Sequence, residues 1–233
     1  MPLTPETFTT RAARMKADLG EQSRRVQGLL ETAFDAAFSR DPAAALQAVA
    51  MDEVIDRVDV DLEKAAVQLL IDATREGAQL APEHLRLVLT IVKVNNELER
   101  IADAGVAVAE NVPALVAQNT PLPDALRVIT NSVVGILRDA TNSLERNDPR
   151  LAKIVLASED AVEEFKKAIL RDLTSQVANR TMTVELAFRL QELTSLCEAM
   201  AEHCTNIAEQ ALYLATGKIV RHMGGHWEEV PQS

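Results

Sequence analysis

Residues 85–110 read Leu-Arg-Leu-Val-Leu-Thr-Ile-Val-Lys-Val-Asn-Asn-Glu-Leu-Glu-Arg-Ile-Ala-Asp-Ala-Gly-Val-Ala-Val-Ala-Glu. Within this stretch Leu87, Ile91, Val94, Leu98, Ile101, Gly105 and Val108 step by 4, 3, 4, 3, 4 and 3 positions. That alternation draws a narrow apolar stripe along one side of a helix, the pattern of a helix packed nearly parallel or antiparallel to its neighbours. The same rhythm returns 99 positions later at Leu186, Leu190, Leu193, Cys197, Met200, Cys204 and Ile207. A second pair of stripes, Val26, Leu30, Ala33, Ala37 and Val133, Leu137, Ala140, Leu144, is displaced by 107. A self-similarity of about a hundred residues marks a duplicated structural unit.

Local stop and start signals divide the chain into six helices. Thr4-Pro5, Asp41-Pro42 and Asp148-Pro149 each place a cap residue before a proline suited to the first helical position. The helices run from Pro5 to about Ser39, Pro42 to near Gly77, Pro82 to Asn111 (stopping before Pro113), Asp124 to Arg146, Pro149 to near Asn179, and Met182 to Gly217. A linker around 118–123 holds Pro121 and Pro123. Three helices per half joined by short turns predict an all-α protein of two tandem antiparallel three-helix bundles. The first spans 1–118; the second spans 119–233 and ends in a short tail.

Hydrophobic residues make up 47% of the 233, yet there are five Phe, one Tyr and one Trp. The core must therefore be assembled from Leu, Val, Ile and Ala, and each half is long enough to bury its own. A net charge of −11 disfavours any role gripping a phosphate backbone. Cys197 and Cys204 lie two turns apart on one helical face, too far for a disulfide, and read as buried thiols in a reducing compartment. The first residues are polar and charged, and the densest apolar run, Leu85 to Val94, is interrupted by Arg86, Thr90 and Lys93. The reading is a soluble, cytoplasmic protein with no inserted segment.

The repeat also carries acids. Asp52 and Asp56 recur as Glu159 and Glu163; Glu99 and Asp103 recur as Glu198 and Glu202. Acids four apart share one helical face. Gly77 lies midway between Asp56 and Glu99, and Arg180 midway between Glu163 and Glu198, so each hairpin brings its two acidic pairs to nearly the same height. Such clusters repel unless protonated or cation-bound, and oxygen-only sets suit magnesium, calcium, manganese or iron. A solvated acidic face is the ordinary meaning of a single pair; two aligned pairs, made twice, speak against it. A ferritin-like di-iron site requires His three residues after Glu, but Ala102 and Ala201 stand there. His203 is left either as a further ligand or as a solvent-facing residue, and His222 and His226 sit in a tail broken by Gly224-Gly225. No phosphate loop, nucleophile elbow or Cys-x-x-Cys motif is present.

Leu98-Glu99-Arg100-Ile101-Ala102-Asp103 resembles the Leu-Glu-Arg-Ile-x-Asp signature of the PhoU phosphate-uptake regulators. Glu202-His203-Cys204-Thr205-Asn206-Ile207-Ala208-Glu209 is similar to the family's second acidic run, and Leu212 to Gly217 resembles its usual ending. The resemblance extends over about residues 19–223. It implies two three-helix bundles whose motifs hold multinuclear metal clusters, with iron or zinc suggested and other divalent ions open. The metal residues it implies are Asp52, Asp56, Glu99 and Asp103, then Glu159, Glu163, Glu198 and Glu202. It further implies a non-enzymatic negative regulator of the phosphate-starvation response, linking a phosphate ABC transporter to its sensor histidine kinase, and leaves a homodimer open. The alternative is a carboxylate-rich metal store or metal-dependent enzyme unrelated to phosphate. This chain departs from the pattern at Ala104, at Ser195 to Ala199, and at Glu202, where the family has a shorter Asp.

Overall fold

The computed structural model describes residues 5–117 and 121–220; Thr4, residues 118–120 of the linker, His222 and His226 lie outside them. The helices are α1 (Pro5–Ser39), α2 (Pro42–Arg75), α3 (Pro82–Val116), α4 (Asp124–Glu145), α5 (Pro149–Leu156), α6 (Glu159–Ala178) and α7 (Val184–Thr216), with no strand among the described residues. The duplicated turn signals build the same turn twice. Asp41 Oδ1 accepts from the N–H groups of Ala43 and Ala44, and Asp148 Oδ1 from those of Arg150 and Leu151. Just before them Arg40 and Asn147 both take positive φ, 55° and 50°.

Helices α1, α2 and α3 pack on one another, and α4 packs with α5, α6 and α7. The predicted stripes face inward: Ile91, Val94, Leu98, Ile101 and Val108 on α3 and all seven stripe residues on α7 are buried, while Leu87 is partly so. Burying each Leu or Ile contributes about 1.5–3 kcal/mol. Gly105 takes its place because α1 lies so close there that a Cβ would collide with the Leu29 and Leu30 methyl groups.

Three expectations are corrected. The helix from Pro149 is interrupted at Ala157-Ser158: the Ser158 hydroxyl donates to the Val155 carbonyl (2.6 Å), as does its own N–H (3.0 Å), in place of regular i−4 bonding. Helix α3 passes through Pro113 to Val116, because Val112 and Leu115 are both fully buried and packing holds the last turn where a backbone bond is missing. The two halves also do not keep separate cores. Helix α3 lies along α7 and α1 against α4, so the buried apolar residues form one continuous cluster.

Candidate functional site

The first acidic face lies where α2 and α3 run side by side. Asp52 and Asp56 come from α2, Glu99 and Asp103 from α3, outside the buried apolar positions of those helices and therefore on the bundle flank. Their charges act on one another. Burial, then the neighbouring Asp56 and Asp103, push the Asp52 carboxyl up to about 6. Burial, with Asp103, Asp59 and Asp56 beside it, raises Glu99 as well. One Asp52 oxygen, Oδ1, is buried with no hydrogen-bond partner.

Asp59 belongs to this face and escapes the sequence reading. It is raised by burial and then by Glu63 and Asp56, with Asn95 acting in the opposite direction. Asn95 Nδ2 donates both to Asp59 Oδ1 (2.6 Å) and to the Asp59 carbonyl (3.0 Å), joining α3 to α2 beside the cluster. The available signal was the 4, 3, 4 spacing of Asp52, Asp56, Asp59 and Glu63, which puts all four on one side of α2.

The second face uses the equivalent positions of α6 and α7. Glu159, Glu163, Glu198 and Glu202 line a shallow cavity of about 140 Å³ floored by Val162 and Ala201. Glu159 is raised by burial and by Glu202, Asp160 and Glu163. Here, however, lysines enter. Lys166 on α6 pairs with Glu198 on α7, and Lys167 lies 2.9 Å from Glu163 and 3.0 Å from Glu164. Lys166 stands at the position that Asp59 holds 107 residues earlier.

The two faces therefore differ as prospective metal sites. Among the described residues, no three His, Cys, Asp or Glu side chains already converge as a formed metal shell. The first face nevertheless presents oxygen donors only, mutually repelling, with a buried carboxylate oxygen unsatisfied, and it fits a hard or borderline divalent cation. The second face already has cationic side chains on two of its four acids and does not fit one in the same way.

His203 turns inward to α3 rather than out to solvent. Its Nδ1 lies 2.7 Å from Glu97 Oε2, to which Asn206 Nδ2 also donates (3.2 Å). Burial pushes Glu97 up, but the hydrogen bonds from His203 and Asn206 outweigh it and hold the carboxyl below its usual range. An ionised carboxylate only accepts, so Nδ1–H is the donor.

Duplicated helical bundles with acidic flanks and apolar stripes turned inward define a class of tandem three-helix-bundle proteins. The PhoU domain model matches this chain twice, over residues 19–112 and 126–211. The chain belongs to the PhoU family. It is 24% identical over 215 residues to the phosphate-specific transport system accessory protein PhoU homolog 1 of Thermotoga maritima, covering 91% of this chain and 90% of that protein. It is 28% identical over 209 residues to the corresponding PhoU homolog of Aquifex aeolicus, covering 89% and 92%. The crystal structure of PhoU from Pseudomonas aeruginosa superposes with a TM-score of 0.84 at 23% identity, covering 91% of this chain and all of that one. The phosphate transport system regulatory protein PhoU from Streptococcus pneumoniae gives 0.83 at 18% identity, covering 91% and 99%. No helix among the described residues is long and apolar enough to cross a membrane.

Proposed function

We propose that this protein is a regulatory adaptor of phosphate transport. It restrains the phosphate-starvation response by coupling a phosphate ABC transporter to its sensor histidine kinase, in the cytoplasm and without catalysis of its own. The observation that carries this reading is the match of both repeats to the PhoU domain, with relatives named as phosphate-specific transport accessory proteins across nine-tenths of the chain. The absence of a nucleophile, cofactor loop or Glu-x-x-His motif from the sequence agrees with it.

The metal part of the proposal rests on the first face. Asp52, Asp56, Glu99 and Asp103, with Asp59 beside them, are the residues that hold a divalent cation, iron or zinc in the family's manner. A bound cation supplies positive charge and so relieves the repulsion between α2 and α3. The chain's own contribution is to fix those carboxylates on two packed helices, with Asn95 tying Asp59 to the α2 backbone. Because all lie off the apolar stripe, neutralising them leaves the fold intact.

Deletion of the gene, with no second family member present, is expected to leave phosphate-starvation genes expressed in phosphate-replete medium. Glu99→Ala/Asp103→Ala is expected to reproduce part of that phenotype in a folded protein. Normal repression in the deletion strain would refute the regulatory reading.

A further inference from the structure

The two acidic faces occupy equivalent positions but deal with their own repulsion differently. On the first, Asp52, Asp56, Asp59, Glu99 and Asp103 form no ion pair with Lys, Arg or His among the described residues. On the second, Lys166 reaches from α6 to Glu198 on α7, bridging the same two-helix gap that a cation would bridge. The lysine is 25% and the glutamate 37% exposed, so the pair is screened somewhat less than a fully exposed contact. The Lys167–Glu163 pair is half exposed and lies along one helix, and it adds less. Through the 107-residue repeat, position 166 is position 59, so a lysine stands on the second face where the first has an acid.

We propose that Lys166 is a built-in counter-ion that takes the place of a metal on the second face, so that divalent cations bind the first face and are excluded from the second. An arriving cation must either displace the ammonium from Glu198 or settle beside a fixed like charge, and both weaken binding. The four glutamates line an open cavity, so access is not what excludes the ion. This inference rests on the metal reading of the first face, but it concerns the other face and fails separately.

The test uses the full chain stripped with chelator and then titrated with Mn²⁺ and with Zn²⁺, reading heat and metal per chain. Wild type is expected to bind, and Asp56→Asn/Asp103→Asn to lose all of that binding. Lys166→Met, which keeps the apolar stem, is expected to about double the metal per chain through a second, independent site, as removal of a competing charge requires. Glu159→Gln/Glu202→Gln in that background removes the gain. In the reverse direction, Asp59→Lys is expected to abolish binding at the first face and to raise the melting temperature of the chelator-treated protein.

Part of the metal retained by Asp56→Asn/Asp103→Asn, and that part lost on adding Glu159→Gln/Glu202→Gln, overturns the inference and leaves the first-face reading standing. So does a folded Lys166→Met that gains no metal, or an Asp59→Lys that binds as wild type does. A wild type that binds nothing, beside a Lys166→Met that binds, supports the inference and overturns the first-face reading instead. Should Lys166→Met fail to fold, the Asp59→Lys result decides alone.

Discussion

His203 of α7 and Glu97 of α3 meet at 2.7 Å with each side chain only 19% exposed, and the contact joins the two bundles. It belongs to a stripe of period seven on each helix: Thr90, Glu97, Ala104 and Asn111 on α3, and Arg189, Leu196, His203 and Gln210 on α7. The helices run antiparallel, and Arg189 donates to Asn111 (3.4 Å) at the far end of the same seam. Thr90 and Gln210, buried with side-chain oxygens unpartnered among the described residues, hold one of the two remaining register positions, and Ala104 with Leu196 the other. The joint thus sets polar pairs beside the apolar residues that run continuously from one bundle to the other.

Breaking that joint should cost stability in a pH-dependent way. In a double-mutant cycle, His203→Ala and Glu97→Gln are expected to show a coupling of about 1–2 kcal/mol near neutral pH, the range for a charge-assisted bond that is partly open to water. Glu97 is held below its usual range, so its contribution is present above the ordinary carboxylate range and disappears as pH falls through its lowered value. Denaturant melts at neutral and acid pH measure this; a coupling that persists in strong acid contradicts it.

Asp52 has the opposite sign. Its carboxyl is pushed up to about 6, so ionising it in the folded, metal-free protein is unfavourable. Stability from this group is intact below the ordinary carboxylate range and is lost as pH rises toward 6. Asp52→Asn should therefore stabilise chelator-treated protein at pH 7 by up to about 1 kcal/mol, a figure discounted for a side chain only partly buried. The gain should vanish below about pH 4. No change in melting temperature at pH 7 would show that water, not repulsion, dominates this face.

Two glycines should respond oppositely to added carbon. Gly105→Val places its side chain against Leu29 and Leu30 and is expected to cost about 1–3 kcal/mol of overpacking. Gly135, inside α4, has open space where a Cβ would go, so Gly135→Ala should stabilise by about 0.5–1 kcal/mol through helix propensity. Chemical denaturation of both variants checks the pair.

The thiols should be silent until the protein opens. Cys197 and Cys204 are fully buried, and burial pushes the Cys197 thiol up to about 12 and the Cys204 thiol higher still. A thiol reagent at pH 8 is expected to react at the rate of unfolding and to label both residues at once in denaturant. Rapid labelling of native protein would place one thiol at the surface.

What could be read from the chain alone were those features whose cause is local. Asp-Pro starts, the Gly217 stop and apolar steps of three and four specify helix positions and the inward face of each, because each depends only on neighbours along one helix. The duplication followed by counting, and it placed the two acidic pairs of each half together. The chain alone did not show which bundle face meets the other. The α3–α7 stripe of Thr90, Glu97, Ala104 and Asn111 is polar at three of its four positions, so hydrophobic periodicity passes over it, and its partners lie about a hundred residues away. Nor did it show that Lys166 reaches Glu198 while Asp59 joins the first cluster, since both depend on the rotation of α2 and α6 about their axes. Charge acts through space across helix boundaries. How far the charge on each acidic face is compensated is therefore decided by tertiary packing, while helix formation is decided residue by residue.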